Sequence, residues 1–86
     1  MDIEKDSELF KALGHPVRLQ IVTGLNCRKE CNVNKMVENL GLPQSTISQH
    51  LGILKSRGIV ACHKYGVETC YFLADERIKK ILKDLE

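Results

Sequence analysis

The sequence predicts a single α+β domain, mainly α, with four helices, a β-hairpin and a C-terminal helix. Three observations predict it. Apolar residues recur at helical spacing as far as Leu54, and again from Ile78 to Leu85. Between these stretches the period changes, and β-branched and aromatic residues gather around Tyr65-Gly66. The chain has 86 residues, enough for one domain and not two. A chain of this length buries roughly 60–65% of its unfolded surface, so its core is small.

Each element has its own signal. Ser7–Leu13 carries Leu9, Phe10 and Leu13 at i, i+1 and i+4, a short amphipathic helix. Gly14-His15-Pro16 breaks it. Pro16 suits the first position of a second helix, where its missing N–H costs nothing, and His15 becomes the N-cap. Val17, Leu19, Ile21, Val22 and Leu25 populate this helix, which is expected to fade near Gly24–Asn26. Cys27–Glu30 reads as a polar link. Asn32 can cap a third helix striped by Val33, Met36, Val37 and Leu40, and Gly41 stops it. Pro43 sits near the first position of a fourth helix that runs to about Ser56. Ile47, Leu51 and Leu54 form its apolar face, with Ile53 beside them; Gln44, Ser45, Ser48, Gln49, Gly52 and Lys55 form the other. Gly58 ends it. A glycine flanked by strand formers then reads as a hairpin turn. Asp75–Glu86 is a last amphipathic helix, capped by Asp75, with Ile78, Ile81, Leu82 and Leu85 inward.

Composition narrows the function classes. Apolar residues are 43% and charged residues 28%, ordinary for a soluble protein. No run of 18 apolar residues occurs, so no membrane span is expected. Met1–Glu8 is acidic and lacks the apolar core of a signal peptide. Four irregularly placed cysteines do not make a disulfide scaffold, so a cytoplasmic protein with reduced thiols is expected. The size disfavours a deep substrate cleft, and no His-Glu-x-x-His, phosphate-binding glycine loop or Gly-x-Ser-x-Gly occurs. The reading is a binding module that completes its core across an interface: not an enzyme, with no cofactor and no small-molecule substrate.

Charge distribution says more than the net charge of +2. No Asp or Glu lies between Glu38 and Glu68, a stretch that holds Lys55, Arg57 and Lys64. A carboxylate-free segment suits a surface that faces phosphates. Within it, the third and fourth helices are joined by the tight Gly41-Leu42 turn, a helix-turn-helix candidate. The second helix of such a unit lies in a DNA major groove with its N-terminal residues at base edges. Gln44, Ser45, Thr46, Ser48 and Gln49 are short or amide side chains that can bond bases or phosphates. Lys55 and Arg57 can add phosphate contacts, as can Lys64 and Tyr65 on the hairpin. His50 lies on the same helix, although packing or backbone bonding is its simplest role.

The segments LGHPVRLQIV and LGLPQSTISQHLGILKSRGIV, followed by a glycine-centred hairpin, resemble the ArsR/SmtB family of winged helix-turn-helix transcriptional regulators. The resemblance covers about Leu9 to Leu85. It implies a homodimer that binds an inverted-repeat operator in double-stranded DNA and represses transcription. It also implies a dimer interface built by the first and last helices, here Leu9, Phe10, Leu13, Ile78, Ile81, Leu82 and Leu85. A winged helix used only for protein interaction or dimerisation is the alternative from a different class, because fold alone does not prove DNA binding.

Metal sites of the family do not carry over. Where arsenic and cadmium sensors have Cys-Val-Cys, this chain has Asn32-Val33-Asn34, and amides are poor ligands for soft metals. Where zinc sensors have Asp-x-His on the last helix, Asp75 matches but Arg77 replaces the histidine, and the later ligand pair has no counterpart. No metal is expected at either place. For the cysteines three readings stay open. They are incidental small hydrophobes, a thiol switch of Cys27 and Cys31 favoured by Arg28 and Lys29, or a metal or metalloid site using the same pair. Cys62 and Cys70 stand near-symmetrically about Gly66, in a register uncertain by one residue.

Overall fold

The computed structural model describes residues 1–86 as α1 (Ile3–Leu13), α2 (Pro16–Arg28), β1 (Glu30–Asn32), α3 (Val33–Leu40), α4 (Gln44–Ser56), β2 (Val60–Tyr65), β3 (Glu68–Leu73) and α5 (Glu76–Leu85). The fold is the mainly helical α+β class that the sequence predicts. Sixteen buried residues make one core, fed by every helix and by the sheet, and all of them are apolar. Ile47, Leu54, Ile59, Ile78 and Val22 are fully enclosed there.

Caps explain most boundaries. The Asp2 side chain accepts from the Lys5 N–H at 3.1 Å, and Glu4 and Asp6 add favourable negative charge to the first turn. Helix α1 therefore starts at Ile3, four residues before the Ser7 expected from its apolar stripe alone. His15 does cap α2, with Nδ1 accepting from the Val17 N–H at 3.1 Å and Pro16 at the first position. Asn32 caps α3 through the Lys35 N–H at 2.8 Å, and Asp75 caps α5 through that of Arg77 at 2.8 Å. Gly41, at φ 67°, takes the left-handed conformation that lets the chain turn sharply into α4. Pro43 is the residue before α4 rather than its first residue.

Two expectations are corrected around residue 27. Helix α2 does not fade at Gly24 but continues to Arg28, because Ile21, Val22 and Leu25 anchor it in the core against the roughly 1 kcal/mol cost of an internal glycine. The segment after it is not a bare polar link: Glu30–Asn32 form a strand. The hairpin is thus two-thirds of an antiparallel sheet ordered β1-β3-β2. Cys31 pairs with Tyr71, and Tyr71 with Cys62, so these three side chains share the face turned to the core. Asn32, Cys70 and His63 align on the opposite face. On that face His63 Nε2 lies 2.9 Å from Glu30 Oε2, and the Asn32 amide donates to Glu68. The β2–β3 connection is the two-residue loop Gly66-Val67, with Gly66 at φ 64°.

Candidate nucleic-acid interface

Helix α4 is divided by burial. Ile47, Leu51 and Leu54 are at most 1% exposed and pin one side to the core. Gln44, Ser45, Ser48 and Gln49 are exposed on the other side, Thr46 is half-buried, and Lys55 is exposed in the last turn. The side-chain hydrogen bonds made from α4 come from His50 and Ser56; the Gln44–Gln49 polar row makes none within the chain. The helix N-terminus is likewise open. Pro43 has no side chain able to cap it, whereas α1, α2, α3 and α5 each have a capping side chain. Its first N–H groups and the positive end of its dipole face outward, where an anion can meet them.

The hairpin forms the wing. Lys64 and Tyr65 are exposed at the end of β2, and Val67 projects fully at the tip. Glu68, the nearest carboxylate to that tip, is engaged by Asn32.

Two of the residues assigned to DNA from the sequence make side-chain contacts within the chain. Arg57 follows the C-terminus of α4, and its Nη2 lies 3.1 Å from Glu8 Oε2 on α1. It ties α4 to α1. His50 turns away from the exposed row towards α2: its Nδ1 is 3.2 Å from Arg18 Nη1, and its ring centroid is 4.5 Å from that of His15. Burial, with the neighbouring His15 and Arg18, holds the His50 imidazole below its ordinary pKa. Arg18 itself was not singled out from the sequence, although it lies in the HPVRL segment. Its guanidinium spans three elements, with Nε donating to the Ala12 carbonyl at 2.6 Å.

The residues expected at the dimer interface also divide. Leu9, Leu13, Ile78 and Leu82 are at most 8% exposed and fill the core of the single chain. Ile81 is half-buried, and Phe10 and Leu85 remain exposed. Ile3, exposed two turns before Phe10 on the same side of α1, joins them.

At the positions of the family's metal sites, side chains have other work. Asn32 caps α3. Arg77 bonds both Asp75 and Asp6, at 3.2 and 3.1 Å. Burial would raise the Asp75 carboxyl, but hydrogen bonds from the Arg77 side chain and backbone, and its charge, outweigh this and hold it below the usual range. The cysteines do not converge. Cys27 is exposed on the last turn of α2, whereas Cys31 is buried, which pushes its thiol up despite Arg28 and Lys35 nearby. Cys62 and Cys70 lie on opposite faces of the sheet. Burial and the carboxylates of Glu68 and Glu30 also raise the Cys70 thiol.

A helix-turn-helix with an open polar row, backed by a hairpin wing, defines a DNA-binding transcriptional regulator of the winged-helix type. Residues 15–61 match the model of the bacterial regulatory proteins of the ArsR family. The chain belongs to that family, whose members are regulators and not enzymes. It is 45% identical over 80 residues to an HTH-type transcriptional regulator of Methanocaldococcus jannaschii, covering 93% of this chain and 90% of the other. The transcriptional repressor PagR of Bacillus anthracis is 40% identical over 84 residues, 96% of this chain and 83% of its own. The crystal structure of PagR superposes with a TM-score of 0.91 at 37% identity, covering 100% of this chain and 98% of that one. A homodimeric winged helix-turn-helix DNA-binding domain from Mycobacterium bovis gives 0.87 at 28% identity, covering 96% and 76%.

Proposed function

We propose that the protein is a homodimeric repressor that occupies an inverted-repeat operator in the cytoplasm. The observation that carries the reading is the row Gln44, Ser45, Ser48 and Gln49, held rigidly by a buried helix face yet unbonded within the chain. Polar side chains presented this way have donors and acceptors to offer base edges. Thr46 and the open N-terminus of α4 add phosphate contacts, and Lys55, Lys64 and Tyr65 flank them. Arg57, through its surface ion pair to Glu8, and the half-buried His50, through Arg18, brace the helix. Phe10, Ile81 and Leu85, with Ile3, supply the dimer face, a reading supported by the homodimeric relative. The engagement of Asn32 and Arg77 supports a member that does without the two usual metal sites. The burial and raised thiol of Cys31 weigh against a Cys27–Cys31 switch or metal site.

The test is fluorescence anisotropy on the DNA upstream of the protein's own gene, against random DNA, across salt. Gln44→Ala should lose about 1–3 kcal/mol on the operator and little on random DNA. Lys64→Ala should weaken both alike and flatten the salt slope by about one. Binding that is weak and independent of salt would point instead to a protein-interaction module.

A further inference from the structure

A polar cluster that joins three helices lies behind the recognition helix. Arg18, on α2, donates from Nε to the carbonyl of Ala12 near the end of α1 and from Nη1 to His50 of α4. His15, its ring tilted 40° to that of His50, caps α2. One guanidinium thus fixes the α1–α2 corner to the middle of α4.

Hydrogen-bond chemistry sets the protonation states. A guanidinium has donors and no acceptor, so the His50 Nδ1 it meets must carry a lone pair. His50 is therefore neutral, with its proton on Nε2. His15 Nδ1 accepts the Val17 N–H and so stays with the α2 cap. A proton on His50 Nδ1 converts an acceptor into a donor aimed at another donor. It also brings a cation against Arg18. No carboxylate bonds to any of the three. The charged groups sharing the depression around Arg18 are Glu8, Lys11 and Arg57, and Glu8 is taken by Arg57 at 3.1 Å and Lys11 at 3.7 Å.

We infer that Arg18 is a positioning residue for the recognition helix, and that its hold on α4 lasts only while His50 is neutral. The inference rests on the DNA-binding reading above. Its sign is diagnostic. Extra positive charge on a DNA-binding surface ordinarily strengthens binding; here acidification releases the recognition helix and weakens it. Stability follows the same direction. His50 favours the neutral form when folded, so its contribution is full above about pH 6.5. It falls as pH drops from there towards the lower folded value.

The experiment measures the affinity of the full chain for its own upstream DNA from about pH 8 down to about pH 4.5, well past the ordinary imidazole value, because the folded His50 titrates below it. Wild-type affinity should fall on acidification. R18Q should bind about ten-fold more weakly at the upper end, the equivalent of one charge-assisted hydrogen bond. In H50Q the glutamine carbonyl can still accept from Arg18, but it does not titrate. That variant should lose the fall. A wild-type affinity that is flat or rises in acid, or an H50Q protein that keeps the wild-type slope, would overturn the inference. If the wild type fails to bind that DNA at any pH, the proposed function fails, and the clamp is judged in the free protein. Amide exchange over Ile47–Leu54 should then be faster in R18Q than in wild type at the same pH, and equal rates would overturn it.

Discussion

Neighbouring residues of one type can have opposite chemistry because of where the backbone leaves them. Cys27 and Cys31 are four positions apart, yet one sits on an exposed helix end and the other on the inward face of a strand. Desolvation keeps Cys31 as a thiol, and the thiolate is the reactive form. A thiol reagent at neutral pH should therefore label Cys27 readily and Cys31 only as the chain unfolds. Peptide mapping of a labelling time course checks this, and equal rates would revive Cys31 as a partner in a switch. The sequence could not separate the two, since their positive neighbours Arg28, Lys29 and Lys35 suggest activation while burial is invisible locally. His50 shows the same limit. Its place in α4 is legible, but its direction follows from Arg18, thirty-two residues earlier in the chain. The Gln44–Gln49 row was legible because helical period and the buried Ile47, Leu51 and Leu54 leave it only one side to occupy.

Elements whose signals are local were read closely. Helix α3 has a capping Asn32, an apolar stripe and a Gly41 stop, all in adjacent sequence, and its limits Val33–Leu40 agree with expectation. Strand β1 had no such signal. Glu30-Cys31-Asn32 lacks β-branched residues and becomes a strand only because β3 offers it an edge. To enter that strand the chain turns through Lys29 at φ 68°, ψ −52°, a conformation that a side chain resists. Lys29→Gly should relieve this strain, offset in part by the greater freedom of glycine in the unfolded chain. A net gain of about 0.5–1 kcal/mol is expected, read as a higher denaturant midpoint at unchanged slope. A loss of stability would mean that Lys29 contributes packing or charge that outweighs its backbone strain.

At the scale of the whole molecule, the core and the proposed interface are separate. Composition and length suggested a chain that needs a partner to finish its core. The single chain has a radius of gyration of 12.5 Å, close to the roughly 12 Å expected of a compact domain of this length. Its buried set is wholly apolar and already includes Leu9, Leu13, Ile78 and Leu82. What remains outside is a smaller set: Ile3 at 70% exposure, Phe10 at 52% and Leu85 at 75%, on the two helices that Asp6 and Arg77 tie together. Assembly through these residues would add area to a core that the single chain already closes, so its removal is expected to leave the protomer folded. Phe10→Glu should leave the helical circular dichroism intact and shift the protein from dimer to monomer in sedimentation. Two linked protomers gain about 10²–10⁴ in avidity on a two-half-site operator, so the same variant should lose operator affinity on that scale while a single half-site feels little change. A Phe10→Glu protein that stays dimeric would move the interface elsewhere. One that unfolds would show that the partner completes the core after all.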